Sequence, residues 1–367
     1  MKRRPPSGLA HLEGELAALA DAGLLRERPE PSRVDQVSFC SNDYLGLATP
    51  DGGGHPVGSG AARLVAGEHV EHLLFERALA DWLGVEAALL FTSGYAANVG
   101  VIPALANGPD DLVLSDALNH ASIVDGCRLA RAETRIYPHL DIPAVDSLLR
   151  VSHARRRWVI SESYFSMDAD SPDLRELRRV CDEHGAALIV DEAHSLGVLG
   201  PEGRGLLAAA EVGADVAVGT LGKAFGGGGA FVAGCDALVA WLWNRARSFV
   251  FSTGLSPALA AGGHEALDRF RADETLRIAT LARAEQLRVG LRALGHTPLG
   301  YGHIVPWLIG DSREASRIAG VLRAQGFGVQ AIRPPSVPPG TARLRLTASA
   351  RQSAEDVERL LFAIGKL

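Results

Sequence analysis

A single interior lysine is the residue of this chain best suited to covalent chemistry. Only three of the 37 basic residues are lysines, and two of them, Lys2 and Lys366, lie near the chain ends. Lys223 stands in the segment TLGKAFGGGG, directly after a short apolar run. A lysine at a strand end can form a Schiff base, and flanking glycines would let a flat ligand approach the backbone. The segment does not fit a P-loop, because the glycine spacing is short and Ala224 follows the lysine. A surface lysine in a turn is the remaining alternative.

Two titratable residues follow another apolar run upstream of Lys223. Asp191 is the last residue of a short predicted strand, and His194 follows three residues later. Ligands bind where parallel strands end, so both side chains would face such a site. The aspartate can pair with a protonated pyridine nitrogen, and the histidine can reach the phenolic oxygen of the same ring. Taken singly, the two residues could be a helix cap and a core histidine, but their order before Lys223 favours a shared site.

Two loops carry candidate contacts to the rest of such a cofactor. Gly94 and Tyr95 open a helix after the predicted strand 87–91. Free N–H groups at a helix start bind anions such as phosphate. A later loop contains His120, whose ring could stack on an aromatic cofactor. The alternative for the helix start is a serine that only caps the helix. The alternative for His120 is a histidine that only lies on the surface.

An arginine pair near the C-terminal end could bind a substrate carboxylate. In the segment ARLRLT, a strand would place Arg343 and Arg345 on one face and the leucines on the other. Arginine binds carboxylates through two parallel hydrogen bonds. The alternative is that these arginines lie on an edge strand and face water. For Arg343 the two interpretations are evenly balanced, whereas for Arg345 carboxylate binding is favoured.

Stacked βα units are predicted to position these residues. Between about residues 85 and 235, short apolar runs alternate with helical patterns, which is typical of a mainly parallel sheet. One helix is predicted from roughly residue 69 to Gly84, and another from a Ser171 cap, with Pro172 in its first turn, to Gly185. The predicted strands are 87–91, 112–115, 157–162, 187–191, 216–220 and 230–233.

The pattern changes after residue 255, which predicts three parts of the chain. Residues 1–45 form a helical lead-in, 46–255 a large cofactor-binding domain and 256–367 a small C-terminal domain. The last part contains a long helical stretch, a strand and helix set, and a final helix capped near Ser353. The predicted fold class is α/β, with a mainly parallel sheet in the large domain and a smaller α+β domain.

Composition narrows the class of protein. A hydrophobic fraction of 47%, a charged fraction of 22% and a net charge of −6 predict a globular chain that binds no nucleic acid. Neither a bilayer-spanning run nor a secretory signal is expected. The four scattered cysteines predict no disulfide framework and no metal cluster, and favour a reducing cytoplasm. The pattern GRGLLA from Gly203 resembles a dinucleotide motif but does not directly follow a strand, which argues against NAD.

The ordered motifs resemble those of the α-oxoamine synthases, pyridoxal-phosphate enzymes of the aspartate-aminotransferase fold (fold type I). The resemblance runs from about residue 40 to 350. It implies pyridoxal 5'-phosphate as cofactor and a homodimer that builds two active sites at its interface. The stretches IRPPSVP and GTARLRLT favour the branch that serves biotin biosynthesis. The matching segments are SNDYLGLA from Ser41, GSGAARLVAG from Gly58, LLFTSGYAANVGVI from Leu89, SDALNHASIVDG from Ser115, SESYFSMDAD from Ser161, VDEAHSLGVLGPEGRG from Val190, VGTLGKAFG from Val218, ARSFVFSTGLSP from Ala246 and AIRPPSVPPGTARLRLT from Ala331.

The resemblance also implies a role for particular residues. The implied catalytic residues are Lys223 for the Schiff base, Asp191 for the pyridine nitrogen, His194 for the ring oxygen and His120 for ring stacking and proton donation. The other implied cofactor contacts are Gly94, Tyr95, Ser166 and Thr220, with Ser252 and Thr253 reaching the phosphate site of the partner subunit. The implied substrate contacts are Asn42, Arg333 and Arg345 for the amino acid, and Arg26 and Ser336 for the acyl group.

The reaction that the resemblance implies is a decarboxylative condensation of L-alanine with a pimeloyl thioester, carried by CoA or an acyl carrier protein. One departure bears on the substrates: DEAHS from Asp191 stands where this branch usually has DDAHG, and DEAHS also occurs in sister activities. Glycine C-acetyltransferase, 5-aminolevulinate synthase, serine palmitoyltransferase and signal-molecule synthase are therefore alternatives. A catalytically silent pyridoxal-phosphate sensor is an alternative of another class.

Overall fold

The structure is a computed structural model that describes residues 17, 18, 20–23, 37–39, 45, 55 and 57–367. Two of the predicted substrate contacts, Arg26 and Asn42, lie outside the described residues.

The strands of the described residues form three sheets. They are β1 (Val37–Ser38), β2 (Ala87–Phe91), β3 (Asp111–Asp116), β4 (Glu133–Tyr137), β5 (Arg156–Glu162), β6 (Ala187–Asp191), β7 (Val216–Thr220), β8 (Ala230–Gly234), β9 (Ile304–Gly310), β10 (Phe327–Gly328), β11 (Ala331–Ile332) and β12 (Ala342–Thr347). The largest sheet has the order β2-β8-β7-β6-β5-β3-β4, in which β8 is antiparallel to both neighbours and the other pairs are parallel. A three-stranded antiparallel sheet has the order β11-β12-β9, and β1 pairs with β10.

Helices follow most of the strands. They are α1 (Val70–Leu83), α2 (Gly94–Leu105), α3 (Ala121–Leu129), α4 (Ile142–Arg150), α5 (Leu174–Glu183), α6 (Gly205–Ala210), α7 (Asp236–Arg245), α8 (Arg247–Val250), α9 (Pro257–Ala272), α10 (Thr275–Ala293), α11 (Ser312–Ala324) and α12 (Ala354–Ile364). No helix of the described part is long and apolar enough to cross a membrane.

The seven-stranded sheet is covered on both faces. Successive side chains of a strand point to opposite faces, and those of β6 enter different cores. Ile189 belongs to the cluster that α2 and α7 cover, whereas Leu188 and Val190 belong to the cluster that α4 and α5 cover. A strand buried on both faces reads as a continuous apolar run, which is why β2, β6 and β7 have the predicted bounds. The predicted α/β class with a mainly parallel sheet is confirmed.

Two local predictions differ from the structure. Strand β4 was not predicted, because it lies at the sheet edge and four of its five residues are not buried, so it has no apolar run. Helix α5 does not begin at a Ser171 cap. Asp173 is its N-cap, and the Asp173 carboxylate accepts hydrogen bonds from the N–H groups of Arg175 and Glu176. A carboxylate at this position also complements the helix dipole, so it is favoured there.

The C-terminal part has a core of its own, but α9 does not belong to it. Phe270 of α9 packs against Trp82 and Phe225 in the core of the large sheet. Leu287 of α10 packs instead with the three-stranded sheet, in a core that also receives Phe39 from the lead-in. We propose that the small domain begins between α9 and α10, slightly later than the predicted boundary at residue 256.

Candidate active site

The candidate residues gather where the parallel strands of the large sheet end. Glu162 is the last residue of β5, Asp191 the last of β6 and Thr220 the last of β7. His120 caps α3 after β3, and its N–H donates to Glu162 Oε1 over 2.7 Å. Because neighbouring parallel strands end at the same sheet edge, these side chains and Lys223 share one region.

Lys223 has the amine that a Schiff base requires. Burial lowers the pKa of Lys223 to about 8, although the carboxylates of Asp191 and Glu162 act to raise it. The charge of Arg345 lowers this pKa further. An amine with a pKa near 8 is partly neutral close to neutral pH, and only the neutral form is nucleophilic.

The loop that carries Lys223 is fixed by packing and by its own backbone. Phe225 is 2% exposed, with its ring centroid 5.0 Å from that of Phe270 and 5.9 Å from that of Trp82. The N–H of Gly226 donates to the Lys223 carbonyl over 2.9 Å. Gly226 has a φ of 67°, a left-handed conformation that costs glycine little. The amine therefore stands on a defined turn.

Asp191 is buried and held at both carboxylate oxygens. Its Oδ2 accepts a hydrogen bond from Asn98 Nδ2 over 2.8 Å, and its Oδ1 accepts one from the Ala193 N–H over 2.9 Å. Asn98 was not predicted as a functional residue. Its signal in the sequence is its place one turn into α2, four residues after Gly94, which puts both residues on one helix face.

Glu162 is a second buried carboxyl group in the site, and it was not predicted. Burial raises the pKa of Glu162 to about 8, the nearby Asp191 adds to this, and Lys223 opposes it. Glu162 is the second residue of the SESYFSMDAD segment, where only Ser166 was singled out. A buried acid among an amine, a carboxylate and an imidazole is typical of functional sites.

His120 is held through one ring nitrogen. Its Nδ1 lies 3.2 Å from the donating N–H of Ser122 and 2.7 Å from the Ser122 hydroxyl. Desolvation lowers the pKa of His120, the carboxylate of Asp191 opposes this, and the charge of Lys223 reinforces it. The ring is solvent-accessible, so a flat ligand could lie against it.

His194 and Arg345 both lie near Lys223, His194 in the loop after β6 and Arg345 on β12 of the three-stranded sheet. Burial lowers the pKa of His194 well below its ordinary value, and the charges of Lys223 and Arg345 add to this effect. His303, which precedes β9 and was not predicted, is fully buried and experiences the same two charges. Arg345 therefore acts electrostatically on the group that contains Lys223, as a contact for a substrate carboxylate would.

The start of α2 and the end of β7 form a cradle. A Cβ on Gly94 would lie 3.8 Å from Thr220 Oγ1, and a Cβ on Gly222 would lie 3.8 Å from the same oxygen. Both glycines thus leave space around Thr220, at a helix N-terminus that favours anions. The Tyr95 hydroxyl is engaged elsewhere, donating to Asp125 Oδ2 over 2.5 Å, so the backbone of Tyr95 is the part suited to an anion.

A small open cleft of about 50 Å³ brings Ser166 and Ser336 together. Its wall is held by Arg343, which is 3% exposed and donates to the Met167 carbonyl over 2.8 Å and to Asp168 Oδ1 over 2.6 Å. The water-facing alternative for Arg343 is therefore wrong. The cleft is lined by Leu118, Phe165, Ser166, Met167, Asp168, Ser336, Val337 and Pro338.

Three predicted contacts lie on other parts of the fold. Arg333 donates a hydrogen bond to the Gly23 carbonyl of the lead-in. Ser252 and Thr253 lie on the turn between α8 and α9, where the next residue, Gly254, donates to the Ala61 carbonyl over 2.9 Å. Their predicted role toward a partner subunit stays a prediction.

The residues present fit pyridoxal phosphate. Lys223 offers an amine for the aldehyde, and Asp191 offers an oriented carboxylate for the ring nitrogen. A Cβ at residue 94 or 222 would come into van der Waals contact with Thr220, so the two glycines keep the surroundings of this hydroxyl open, and this space beside a helix N-terminus suits a phosphate. Among the described residues, no group of three or more histidine, cysteine or acidic side chains is placed to hold a metal ion.

Comparisons with known proteins agree with this chemistry. The family model for class I and II aminotransferases matches residues 34–364. The chain is 48% identical over 373 residues to an 8-amino-7-oxononanoate synthase of Anaeromyxobacter dehalogenans, covering 95% of this chain and 93% of that relative. A serine palmitoyltransferase from S. paucimobilis with bound PLP and myriocin has a TM-score of 0.90 at 27% identity, covering 99% of this chain and 98% of that one. An 8-amino-7-oxononanoate synthase from Francisella tularensis has a TM-score of 0.76 at 26% identity, covering 90% and 97%.

Proposed function

The chain belongs to the class I and II aminotransferase family, within its α-oxoamine synthases, and from this membership we propose that it catalyses the 8-amino-7-oxononanoate synthase reaction of biotin biosynthesis. L-Alanine and a pimeloyl thioester give 8-amino-7-oxononanoate, CO2 and the free carrier thiol. The chain is a pyridoxal-phosphate-dependent acyltransferase. The observation that carries the proposal is the partly neutral amine of Lys223 beside the oriented carboxylate of Asp191.

Lys223 acts as nucleophile and then as base. Pyridoxal phosphate supplies, when bound, an aldehyde that reacts with amines and a ring that takes up the electron pair left on the α-carbon. With the cofactor bound, an incoming alanine would free the Lys223 amine, and its Nζ could then accept the α-proton. Because the pKa of Lys223 is about 8, Nζ can accept and release a proton near neutral pH.

Three further side chains orient and stabilise the reacting groups. Asp191 would face the nitrogen of the bound ring with a carboxylate that Asn98 and the Ala193 N–H hold in place. His194 would contact the ring oxygen as a neutral imidazole, which its burial favours. His120 would lie against the bound ring, and its Nε2 would donate a proton when the product carbon is reprotonated.

The substrates are bound by Arg345 and by the cleft. Arg345 holds the alanine carboxylate, in keeping with its electrostatic effect on Lys223 and His194. The apolar wall formed by Phe165 and Val337 suits the methylene chain of a pimeloyl group. The hydroxyls of Ser166 and Ser336 line the same cleft and suit the polar ends of the pimeloyl group.

The protein is a homodimer with shared sites. Large apolar side chains are exposed close to the Ser252–Thr253 turn: Phe251 is 72% exposed and Val65 is 81% exposed. The segment 58–67 is tied to that turn by the hydrogen bond from Ser59 Oγ to the Gly254 carbonyl. Apolar groups concentrated on one surface favour burial against a second copy, and a symmetric pair would bring Ser252 and Thr253 to the partner's phosphate.

The enzyme works in the cytoplasm. The buried thiols Cys127 and Cys181 are free, which suits a compartment that keeps cysteines reduced.

One experiment separates the proposed reaction from its relatives. The purified enzyme, loaded with pyridoxal phosphate, is given L-alanine, glycine or L-serine with pimeloyl-CoA, acetyl-CoA, succinyl-CoA or palmitoyl-CoA, and thiol release is followed. The proposal predicts the highest kcat/KM for L-alanine with pimeloyl-CoA. A preference for L-serine with palmitoyl-CoA would instead support the activity of the serine palmitoyltransferases, which have the higher TM-score. If the protein binds pyridoxal phosphate but turns over none of these substrate pairs, the result would support the alternative of a catalytically silent pyridoxal-phosphate sensor.

A further inference from the structure

We propose that Asn98 is a positioning residue that sets two reacting groups at once: the carboxylate of Asp191 and, through Ser122, the proton distribution of His120. The inference rests on the proposed function, which places Asp191 and His120 against the cofactor ring. It concerns Asn98 and Ser122, to which neither the family resemblance nor the comparisons assign any role.

Asn98 uses both hydrogens of its side-chain amide. Nδ2 donates to Asp191 Oδ2 over 2.8 Å and to Ser122 Oγ over 3.0 Å. An amide nitrogen has two N–H donors, and these two contacts account for both. Asn98 is 1% exposed, so its amide could not exchange either contact for water without opening the core.

The contact to Ser122 gives the hydroxyl a direction. Ser122 Oγ receives a hydrogen from Asn98, so its own hydrogen is available for His120 Nδ1, 2.7 Å away. The backbone N–H of Ser122 also points at Nδ1, over 3.2 Å. A backbone N–H can only donate, so Nδ1 is an acceptor and carries no proton.

The ring proton of His120 therefore resides on Nε2. This is the neutral tautomer, and its single N–H is the one available to a substrate. A second proton on Nδ1 would face the Ser122 N–H, which disfavours the imidazolium. A neutral ring can lie against a protonated pyridine without placing two positive charges face to face.

The same amide connects groups that lie on separate elements. Asp191 ends β6, Asn98 lies in α2 and His120 caps α3. One side chain thus orients the carboxylate at the ring nitrogen and the imidazole at the ring face. A purely packing role would not require an amide, because an alanine at this interior position of α2 has a higher helix propensity.

The test measures the proton affinity of His120 in the full-length protein, with and without pyridoxal phosphate. Protein labelled with 15N-histidine is titrated by NMR, and the His120 signals are identified by their loss in His120→Gln. Wild-type Nδ1 is expected to show the shift of an unprotonated nitrogen. Ser122→Ala and Asn98→Ala should each raise the proton affinity of His120 about fivefold, the size of one hydrogen bond.

The double variant distinguishes one effect transmitted from Asn98 through Ser122 to His120 from two independent effects. If Asn98 acts on His120 through Ser122, Asn98→Ala combined with Ser122→Ala should raise the proton affinity of His120 no further than Ser122→Ala alone. Asn98→Ala should also weaken pyridoxal phosphate binding more than Ser122→Ala does, because only Asn98 contacts Asp191. The matched control is Ser163→Ala, which removes an equally buried hydroxyl directly after β5.

Several results would overturn the proposal. One is an unchanged His120 titration in Ser122→Ala, a variant that loses only a hydroxyl and leaves Asn98 in place. Another is full additivity in the double variant, and a third is a protonated Nδ1 in the wild type. None of these NMR results needs a substrate, so they leave the proposed reaction standing, and a failed substrate panel leaves this coupling standing.

Discussion

Glu162 lies directly opposite Asp191 in the register of the neighbouring parallel strands β5 and β6. Two buried carboxyl groups therefore end at the same sheet edge, and both act on Lys223. Their negative charges raise the pKa of the amine, whereas burial and Arg345 lower it, and the balance lies at about 8. The register of two strands thus helps to set the reactivity of Lys223, in the loop that follows a third strand, β7.

Glu162→Gln should make the Lys223 amine reactive at lower pH. The substitution keeps the side-chain shape but prevents the ionisation of Glu162, whose own pKa is about 8 and whose charged form raises the pKa of Lys223, so the pKa of Lys223 should fall below about 8. The measurement is the pH dependence of the rate at which the protein forms its Schiff base with pyridoxal phosphate, followed by absorbance. The exposed Glu211→Gln is the control and should leave the midpoint unchanged. A midpoint that stays or rises in Glu162→Gln would show that Glu162 does not act on the amine.

The strand ends that carry chemistry were predictable because buried parallel strands are continuous apolar runs. Asp191 and Thr220 end strands whose bounds match the prediction. Glu162, Asn98 and His303 were not predicted. Their importance depends on which elements meet in three dimensions, and no local pattern records that Asn98 of α2 faces the end of β6.

The predicted roles of Ser166 and Ser336 illustrate the same limit differently. They are 170 residues apart in the chain, and the resemblance to a family implied separate roles for them, a cofactor contact for Ser166 and an acyl-substrate contact for Ser336. The structure places both on one cleft. For Ser252 and Thr253, the structure gives the turn and its ties to segment 58–67, and their proposed target lies on a second subunit.

The DEAHS departure should not change substrate preference. Glu192 accepts hydrogen bonds from the Leu206 N–H over 2.7 Å and the Leu207 N–H over 3.0 Å, at the start of α6. The Ser195 hydroxyl donates to Glu192 Oε1 over 3.1 Å, and both side chains are buried behind the site. The pair therefore holds a helix terminus, and its hydrogen-bond partners Leu206, Leu207 and Ser163 do not line the cleft.

A Glu192→Asp, Ser195→Gly double variant tests this. The shorter carboxylate should lose contact with the α6 N–H groups and lower the free energy of unfolding by about 2 kcal/mol. The kcat/KM ratio of L-alanine to glycine should change less than about threefold. A larger change in that ratio, with a folded protein by circular dichroism, would mean that residues 192 and 195 do determine specificity.

Arg63→Met should strongly destabilise the fold. Arg63 is buried, and its guanidinium donates to Glu68 over 2.6 and 2.7 Å and to Glu76 over 3.0 Å. Glu76 is also buried, so the substitution leaves its carboxylate without a cation, which costs about 3–5 kcal/mol. Urea unfolding at fixed protein concentration measures the loss. The exposed pair of Arg317 and Glu314 provides the matched control, since Arg317→Met should cost less than about 1 kcal/mol. Equal losses in the two variants would contradict the account.

His139 should make stability depend on pH between about 7 and 10. Its Nδ1 lies 2.8 Å from Asp116 and its Nε2 lies 3.2 Å from Asp170. Burial alone would lower the pKa of His139, but hydrogen bonds to Asp116 and Asp170 raise it to about 10. A raised pKa stabilises the folded state fully below the unfolded value of 6.5, and this stabilisation is lost as the pH rises through about 10.

His139→Gln should therefore cost about 2 kcal/mol at pH 6.5 and much less at pH 10. The measurement is the difference in unfolding free energy between wild type and variant across that range. His153→Gln, at an exposed position, should show no such pH-dependent difference. A difference that is constant with pH would mean that His139 is not protonated in the folded protein.

The most direct test of the central claim is product formation without the Lys223 amine. Wild type, Lys223→Ala and Lys366→Ala are each loaded with pyridoxal phosphate, given L-alanine and pimeloyl-CoA, and assayed for 8-amino-7-oxononanoate by mass spectrometry. Wild type and Lys366→Ala should form the product at similar rates, and Lys223→Ala should be slower by at least about a thousandfold. A Lys223→Ala protein that forms the product within about tenfold of the wild-type rate would contradict the account.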